Sequence, residues 1–266
     1  MLPAIVGGAL GVWAAGTLAA RLAFRRVLFA SPPPRAEDGQ VPADAVAWDL
    51  VAEGGAPVRA LEVPPAAGTE RRVPIVYFHG NAQTAGDVVP MARLLADAGH
   101  RVVVAEYRGY GASRDAGRPT ERGLYADAAA VLAEVRRRHG DEVALWGTSL
   151  GSAVAVEMAC RSAVRALVLV APFTSTRALC RHHAPMLAAR VVARDAFASI
   201  DKAGALRTRA LVLHGSGDRL VPPAMGRALS ERMAGARFVE LAGAAHDVFP
   251  THGDEVVAAV LAHLAG

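Results

Sequence analysis

Apolar residues along the chain fall into short continuous runs at Val73 to Phe78, Arg101 to Ala105, Glu142 to Trp146, Arg165 to Val170, Arg209 to Leu213 and Arg237 to Leu241. A strand with one wet face alternates polar and apolar positions, so runs without alternation predict strands buried on both faces. Between them, Ala/Leu-rich stretches predict helices over Asp87 to Ala98, Thr120 to His139, Leu150 to Arg161, Pro222 to Met233 and Gly253 to Leu264. Ahead of these, Val46 to Val51 and Val58 to Val63 flank Gly54 and Gly55 and predict an antiparallel hairpin. The alternation gives about eight strands in a mostly parallel sheet covered by helices, an α/β domain. Residues 172–206 interrupt it as a helix-rich insertion, placed to cap a site at the carboxyl edge of the sheet.

The segment Leu2 to Ala20 carries no charged side chain and is long enough as a helix to cross a hydrocarbon core of roughly 30 Å. It reads as a single-pass anchor within residues 1–24. Gly7, Gly8, Gly11, Gly16 and Pro3 lower its hydrophobicity, and a cleaved signal peptide is the alternative. A signal peptide wants positive charge before the apolar run, whereas Arg21, Arg25 and Arg26 follow it. Those arginines predict a cytoplasmic domain after the span. Ser31 to Pro42, with Pro32, Pro33 and Pro34, reads as part of a stiff linker over residues 25–42, and the domain is expected over residues 43–266.

With 266 residues, 53% of them hydrophobic, the chain can bury one sizeable core and carry a short appendage. The net charge of +4 rests on scattered arginines, Lys202 being the only lysine, and only 5% of residues are aromatic. That argues against a nucleic-acid partner, which needs a concentrated basic stripe with aromatic platforms. Cys160 and Cys180 lack metal or redox spacing and are expected as reduced, packed thiols, with a single disulfide as the alternative.

Gly147-Thr148-Ser149-Leu150-Gly151 matches G-x-S-x-G between a predicted strand and a predicted helix. A sharp turn there lifts the serine oxygen above the sheet and aims the Leu150 amide at a reacting carbonyl. A serine hydroxyl needs a base and an orienting carboxylate. Asp218, after the seventh strand in His214-Gly215-Ser216-Gly217-Asp218, and His246, after the eighth, follow in the order this chemistry uses. Asp218 alone could instead cap a turn, and Asp247 and His252 are local rivals of His246. His79-Gly80-Asn81-Ala82 follows the third strand and offers a second oxyanion donor, the Asn81 N–H, with His79 expected to bond the loop backbone. His182 and His183 are adjacent and make a poor metal pair, and no metal or dissociable cofactor is expected.

From about Arg25 onward the chain resembles the membrane-anchored branch of the α/β-hydrolase-domain proteins, which includes lysophospholipid lipases and protein depalmitoylating thioesterases. The resemblance rests on His79-Gly80-Asn81, Tyr107-Arg108-Gly109-Tyr110-Gly111, Gly147 to Gly151, Ala171-Pro172-Phe173-Thr174-Ser175, Arg194-Asp195 and His214-Gly215 with Asp218. It implies Ser149, Asp218 and His246 as catalytic residues and leaves the substrate open. Ala245 stands where relatives commonly have glycine. The expected activity is cleavage of esters or thioesters of lipid-like acyl substrates through an acyl-enzyme. A serine peptidase sharing the triad and a catalytically idle scaffold of the same fold are the alternatives. In the insertion, Arg177, Arg181, Arg190 and Arg194 interleave with Leu179, Leu187, Val191 and Val192, a pattern that suits either an anionic lipid surface or an ordinary solvated face.

Overall fold

The computed structural model describes residues 2–66, 68–69 and 72–266, with side chains from residue 15 onward. Strands β1 (Val46–Val51), β2 (Pro57–Val63), β3 (Ile75–Phe78), β4 (Val102–Ala105), β5 (Ala144–Thr148), β6 (Ala166–Val170), β7 (Ala210–Gly215) and β8 (Arg237–Leu241) form one sheet in the order β1-β2-β4-β3-β5-β6-β7-β8. The β1/β2 hairpin is antiparallel, as the Gly54-Gly55 spacing predicts, and β2 joins β4 antiparallel. The remaining pairs are parallel.

The uninterrupted apolar runs bury both faces of this sheet. Val76, Phe78, Leu145, Leu167, Leu169 and Val212 point into one core with Val131 and Val135 of α3 (Glu121–His139) and Val154 and Met158 of α4 (Leu150–Arg161). Tyr77, Trp146, Val168 and Leu213 point into the other, with Val88 and Leu95 of α2 (Ala85–Asp97) and Val256 and Val260 of α9 (Phe249–Ala265). Alternation of side chains along a strand produces this split. β8 departs from the expectation of full burial: it is the sheet edge, and Arg237 and Glu240 are exposed while Phe238 and Val239 are half-buried.

Between β6 and β7 lie three short helices, α5 (Thr176–His183), α6 (Ala189–Val192) and α7 (Ser199–Ala203), and α8 (Pro223–Arg232) follows β7. At the other end of the chain α1 spans Leu2–Leu28, past the predicted end of the anchor at residue 24. Its last turns lie on the domain: Ala20 and Phe24 pack on the core of α5 and α6, and Phe29 is buried beside Phe197. The predicted transmembrane anchor is not found: among the described residues no helix is long and apolar enough to cross a membrane. Most of the span expected over Leu2 to Ala20 falls on residues whose side chains lie outside the described ones.

Candidate active site

Ser149 alone separates β5 from α4, and it sits at φ 50°, ψ −114°. Left-handed backbone at a non-glycine residue costs about 1–3 kcal/mol and persists only where its surroundings impose it. The two motif glycines show what imposes it. A Cβ on Gly147 would lie 2.3 Å from the Gly151 carbonyl oxygen, and one on Gly151 would lie 1.9 Å from that of Phe78. Strand, helix and the end of β3 are therefore in backbone contact around the turn, and the Ser149 N–H donates to Val170 O at 2.9 Å.

The turn after β7 and the loop after β8 are joined in the same manner. The N–H groups of Ser216 and Gly217 donate to Leu241 O and Ala244 O at 2.9 Å, and a Cβ on Gly215 would lie 2.3 Å from Ala244 O. His246 is thereby carried to Asp218, its Nδ1 donating to Asp218 Oδ2 at 2.7 Å. With that nitrogen protonated, the neutral ring presents Nε2 as an acceptor, 2.9 Å from Ser149 Oγ. The other Asp218 oxygen accepts from the N–H groups of Leu220 and Val221 at 2.8 Å, so the residue also fills its turn-forming role. Burial pushes the Asp218 carboxyl up, but hydrogen bonds from His214 and His246, the nearness of the His246 imidazole and the Val221 N–H outweigh it and hold the group well below the usual carboxylate range. The rivals stand apart: Asp247 is exposed and, among the described residues, accepts only from Phe249 N, and His252 bonds its neighbour Thr251.

His214 received no role from the sequence. It is fully buried, and its Nε2 lies 3.2 Å from Asp218 Oδ2 and 3.0 Å from Val221 O. A backbone carbonyl can only accept, so Nε2 carries the proton and Asp218 Oδ2 faces two imidazoles. The i, i+4 spacing in His214 to Asp218 was the available signal.

The loop after β3 lies over the serine. A Cβ on Gly80 would sit 3.5 Å from Ser149 Cβ. His79 Nδ1 donates to Gly80 O at 2.7 Å, as expected of a loop-bonding histidine, and its Nε2 lies 3.2 Å from Glu106 Oε1. The Gly80 N–H donates to Gln83 Oε1 and the Ala82 N–H to Ala30 O, each at 2.9 Å. The N–H groups of Asn81 and Leu150 meet no acceptor among the described residues.

His246 keeps 23% of its side chain exposed, so the site opens to solvent. Beside it the cap meets the turn after β7, His183 Nε2 donating to Leu220 O at 2.7 Å; Leu220 is exposed there, and Met186, Leu187 and Val191 are exposed elsewhere on the cap. Both cysteines are free, Cys180 buried in the cap and Cys160 exposed at the end of α4 rather than packed.

This strand order, with a serine on the turn between the central β5 and α4, defines an α/β-hydrolase fold. The family model described as alpha/beta hydrolase fold matches residues 73–196. The chain is similar, at 34% identity over 181 residues, to an uncharacterized protein of Mycobacterium tuberculosis, the match covering 65% of this chain and 62% of that one. It is 33% identical over 181 residues to the lysophosphatidylserine lipase ABHD12 of Danio rerio, covering 60% of this chain and 47% of the lipase. The chain thus spans 62% and 47% of the length of these curated relatives. Among solved structures, a thermophilic esterase, Est2, of Thermogutta terrifontis superposes with a TM-score of 0.67 at 19% identity, over 86% of this chain and 96% of the esterase, which shows a common fold.

Proposed function

We propose that this protein is a serine hydrolase that cleaves carboxylic esters or thioesters of lipid-like acyl substrates, with Ser149, His246 and Asp218 as its catalytic residues. The observation that carries the reading is the unbroken chain from Asp218 through His246 to Ser149, at 2.7 and 2.9 Å, beside two main-chain N–H groups that meet no acceptor among the described residues. Ser149 Oγ attacks the acyl carbon while its proton passes to His246 Nε2, and the ionised Asp218 stabilises the imidazolium. The carbonyl oxygen becomes an oxyanion held by the Asn81 and Leu150 N–H groups. As the tetrahedral intermediate collapses, His246 returns the proton to the leaving alcohol or thiol. Water, deprotonated by His246, then attacks the acyl-enzyme, and as the acyl–oxygen bond to Ser149 breaks His246 returns the proton to Ser149 Oγ and the acid is released.

The lipid-like substrate class draws support from the lipase relative and from the apolar residues exposed on the cap and at Leu220. Membrane attachment through α1, with the catalytic domain on the cytoplasmic side, draws its support from the uncharged run Leu2 to Ala20 and the arginines after it. Carbonate extraction of membranes tests it, release into the supernatant refuting it.

A fluorophosphonate probe is expected to label the wild-type protein and to leave Ser149→Ala unlabelled. Acyl p-nitrophenyl esters are expected to turn over and aminoacyl amides not. Absence of labelling overturns the enzyme reading in favour of a scaffold, and preference for the amides overturns it in favour of a peptidase.

A further inference from the structure

The geometry points to the carboxyl end of α1 as part of the oxyanion hole, with Asn81 as the positioning residue through which it acts. This rests on the Asn81 and Leu150 N–H groups being the oxyanion donors. The Gly80 carbonyl and the Asn81 N–H belong to one planar trans peptide and point in opposite directions, so whatever orients that unit aims the donor. His79 holds the carbonyl end. The Asn81 side chain holds the other, and α1 supplies its partner: Asn81 Nδ2 donates to Val27 O at 2.7 Å. Val27 lies in the last turn of α1, where carbonyls lack intrahelical partners and carry the negative end of the helix dipole, which makes a strong acceptor. Asn81 Oδ1 accepts from the Tyr110 hydroxyl at 3.0 Å, so both ends of the amide are engaged and its orientation is fixed.

The next residue repeats the arrangement in main chain, the Ala82 N–H donating to Ala30 O while Ala82 sits at φ 58°. Residues 27 and 30 thus tie down two consecutive loop residues beside Ser149. The tie is itself anchored. Arg25 pairs with Asp195 of the cap, donates to Pro119 O at 2.9 Å and lies 5.2 Å over the ring of the buried Phe29. Asp195 in turn accepts from the Glu121 N–H at the start of α3. A hydrogen bond at a solvent edge, like that of Asn81 to Val27, adds little to folding, whereas an oxyanion donor must be held within about 0.5 Å. Its loss is therefore expected in the rate rather than in the melting temperature.

The test uses the full chain with Asn81→Ala, Tyr110→Phe and Arg25→Gln, reading kcat and KM on p-nitrophenyl butyrate, melting temperature, and inhibition by phenylboronic acid, whose tetrahedral adduct is anionic. Losing an oxyanion donor outright costs about 10²–10³ in kcat, and a donor left in place but loosened is expected to cost about tenfold. Asn81→Ala and Tyr110→Phe are expected to lower kcat by about that factor at a KM within about twofold, with boronate affinity falling in proportion. Arg25→Gln is expected to lower kcat several-fold in the wild-type background and by less on top of Asn81→Ala, where only the Ala82 bond to Ala30 is left for it to act through. Unchanged kcat in Asn81→Ala, or a fall in kcat with boronate affinity untouched, overturns the inference. Failure of the wild-type protein to react with the fluorophosphonate probe at Ser149 overturns the enzyme reading itself, whereas normal labelling with wild-type rates in all three variants overturns only the role of α1.

Discussion

Gly151→Ala probes how far catalysis depends on backbone packing under the serine. The new Cβ would fall 1.9 Å from Phe78 O, 2.5 Å from the Phe78 carbonyl carbon and 2.7 Å from His79 O. None of these can swing aside as a side-chain tip would. Carbon and carbonyl oxygen tolerate about 3.3 Å at closest, so α4 and the end of β3 must part by roughly 1.4 Å. Overpacking of this kind costs about 1–3 kcal/mol of stability. The displaced segment carries His79 and the proposed Asn81 oxyanion donor, and a 1 Å misplacement in an active site costs about a hundredfold in rate. The expected outcome is a folded protein with a lowered melting temperature and kcat on p-nitrophenyl butyrate down by about two orders of magnitude. Gly253→Ala is the control, because nothing lies within 4 Å of its added Cβ. It should leave kcat unchanged and hold or raise the melting temperature. Wild-type kcat in Gly151→Ala would refute the view that the turn is held by backbone contact.

Asp218→Asn keeps the shape of the turn but loses the charge that, in the proposed mechanism, orients His246 and steadies its imidazolium; kcat is expected to fall by about 10⁴ with the protein still folded, as circular dichroism would report. Arg108→Met leaves the fully buried Asp127 carboxylate without the guanidinium that donates to both its oxygens, at 2.6 and 3.0 Å. Urea unfolding should show a loss of about 3–5 kcal/mol. Stability should also fall with pH in two stages. Burial holds His100 below its ordinary range, so the unfolded chain takes up that proton first and stability declines as pH drops below about 6.5. Asp218, held below the usual carboxylate range, contributes stability that is present above about pH 4 and lost as pH falls further. His100→Asn, whose amide can replace the Nδ1 bond to Val73 O, should lessen the slope of the first stage in melts between pH 7.5 and 5, to which His139 and His263, also held low by burial, contribute the rest, and an unaltered slope would refute the assignment.

Most of the sheet could be read from the sequence because burial on both faces leaves a direct mark: β3 to β7 are uninterrupted apolar runs, and no alternation competes with them. β8 misleads for the same reason in reverse, since Arg237-Phe238-Val239-Glu240-Leu241 is short enough that an edge strand and a central one look alike. Motif glycines located Ser149, because only a glycine-flanked turn permits the contacts found there. His214 was missed because burial decides its role, and a histidine beside a glycine carries no mark of burial. The packing of α1 onto the domain escaped notice for a further reason. Val27 and Ala30 contribute main-chain carbonyls, which every residue has, and Asn81 signals a partner without saying where that partner lies.

Backbone strain gathers where these elements meet. Ala82, Ser149 and Ala171, non-glycine residues at positive φ, follow the carboxyl ends of β3, β5 and β6, and Phe197 adds another at the base of the cap. At about 1–3 kcal/mol each they would be costly in a marginal domain, so something nearby must hold them. Two separate cores do so, one on each face of the sheet, fixing the ends of β3, β5, β6 and β7, and that of β8 through Leu241. The loops then inherit strand positions defined by packing that has no part in the chemistry. This explains why Ser149, Asp218 and His246, spread over 97 residues of sequence, meet at hydrogen-bond distance without a local motif joining them. The loop after β3 differs in needing a hold from outside the sheet. Its far side faces α1, and the two hydrogen bonds from residues 81 and 82 supply there what strand packing supplies for the other three.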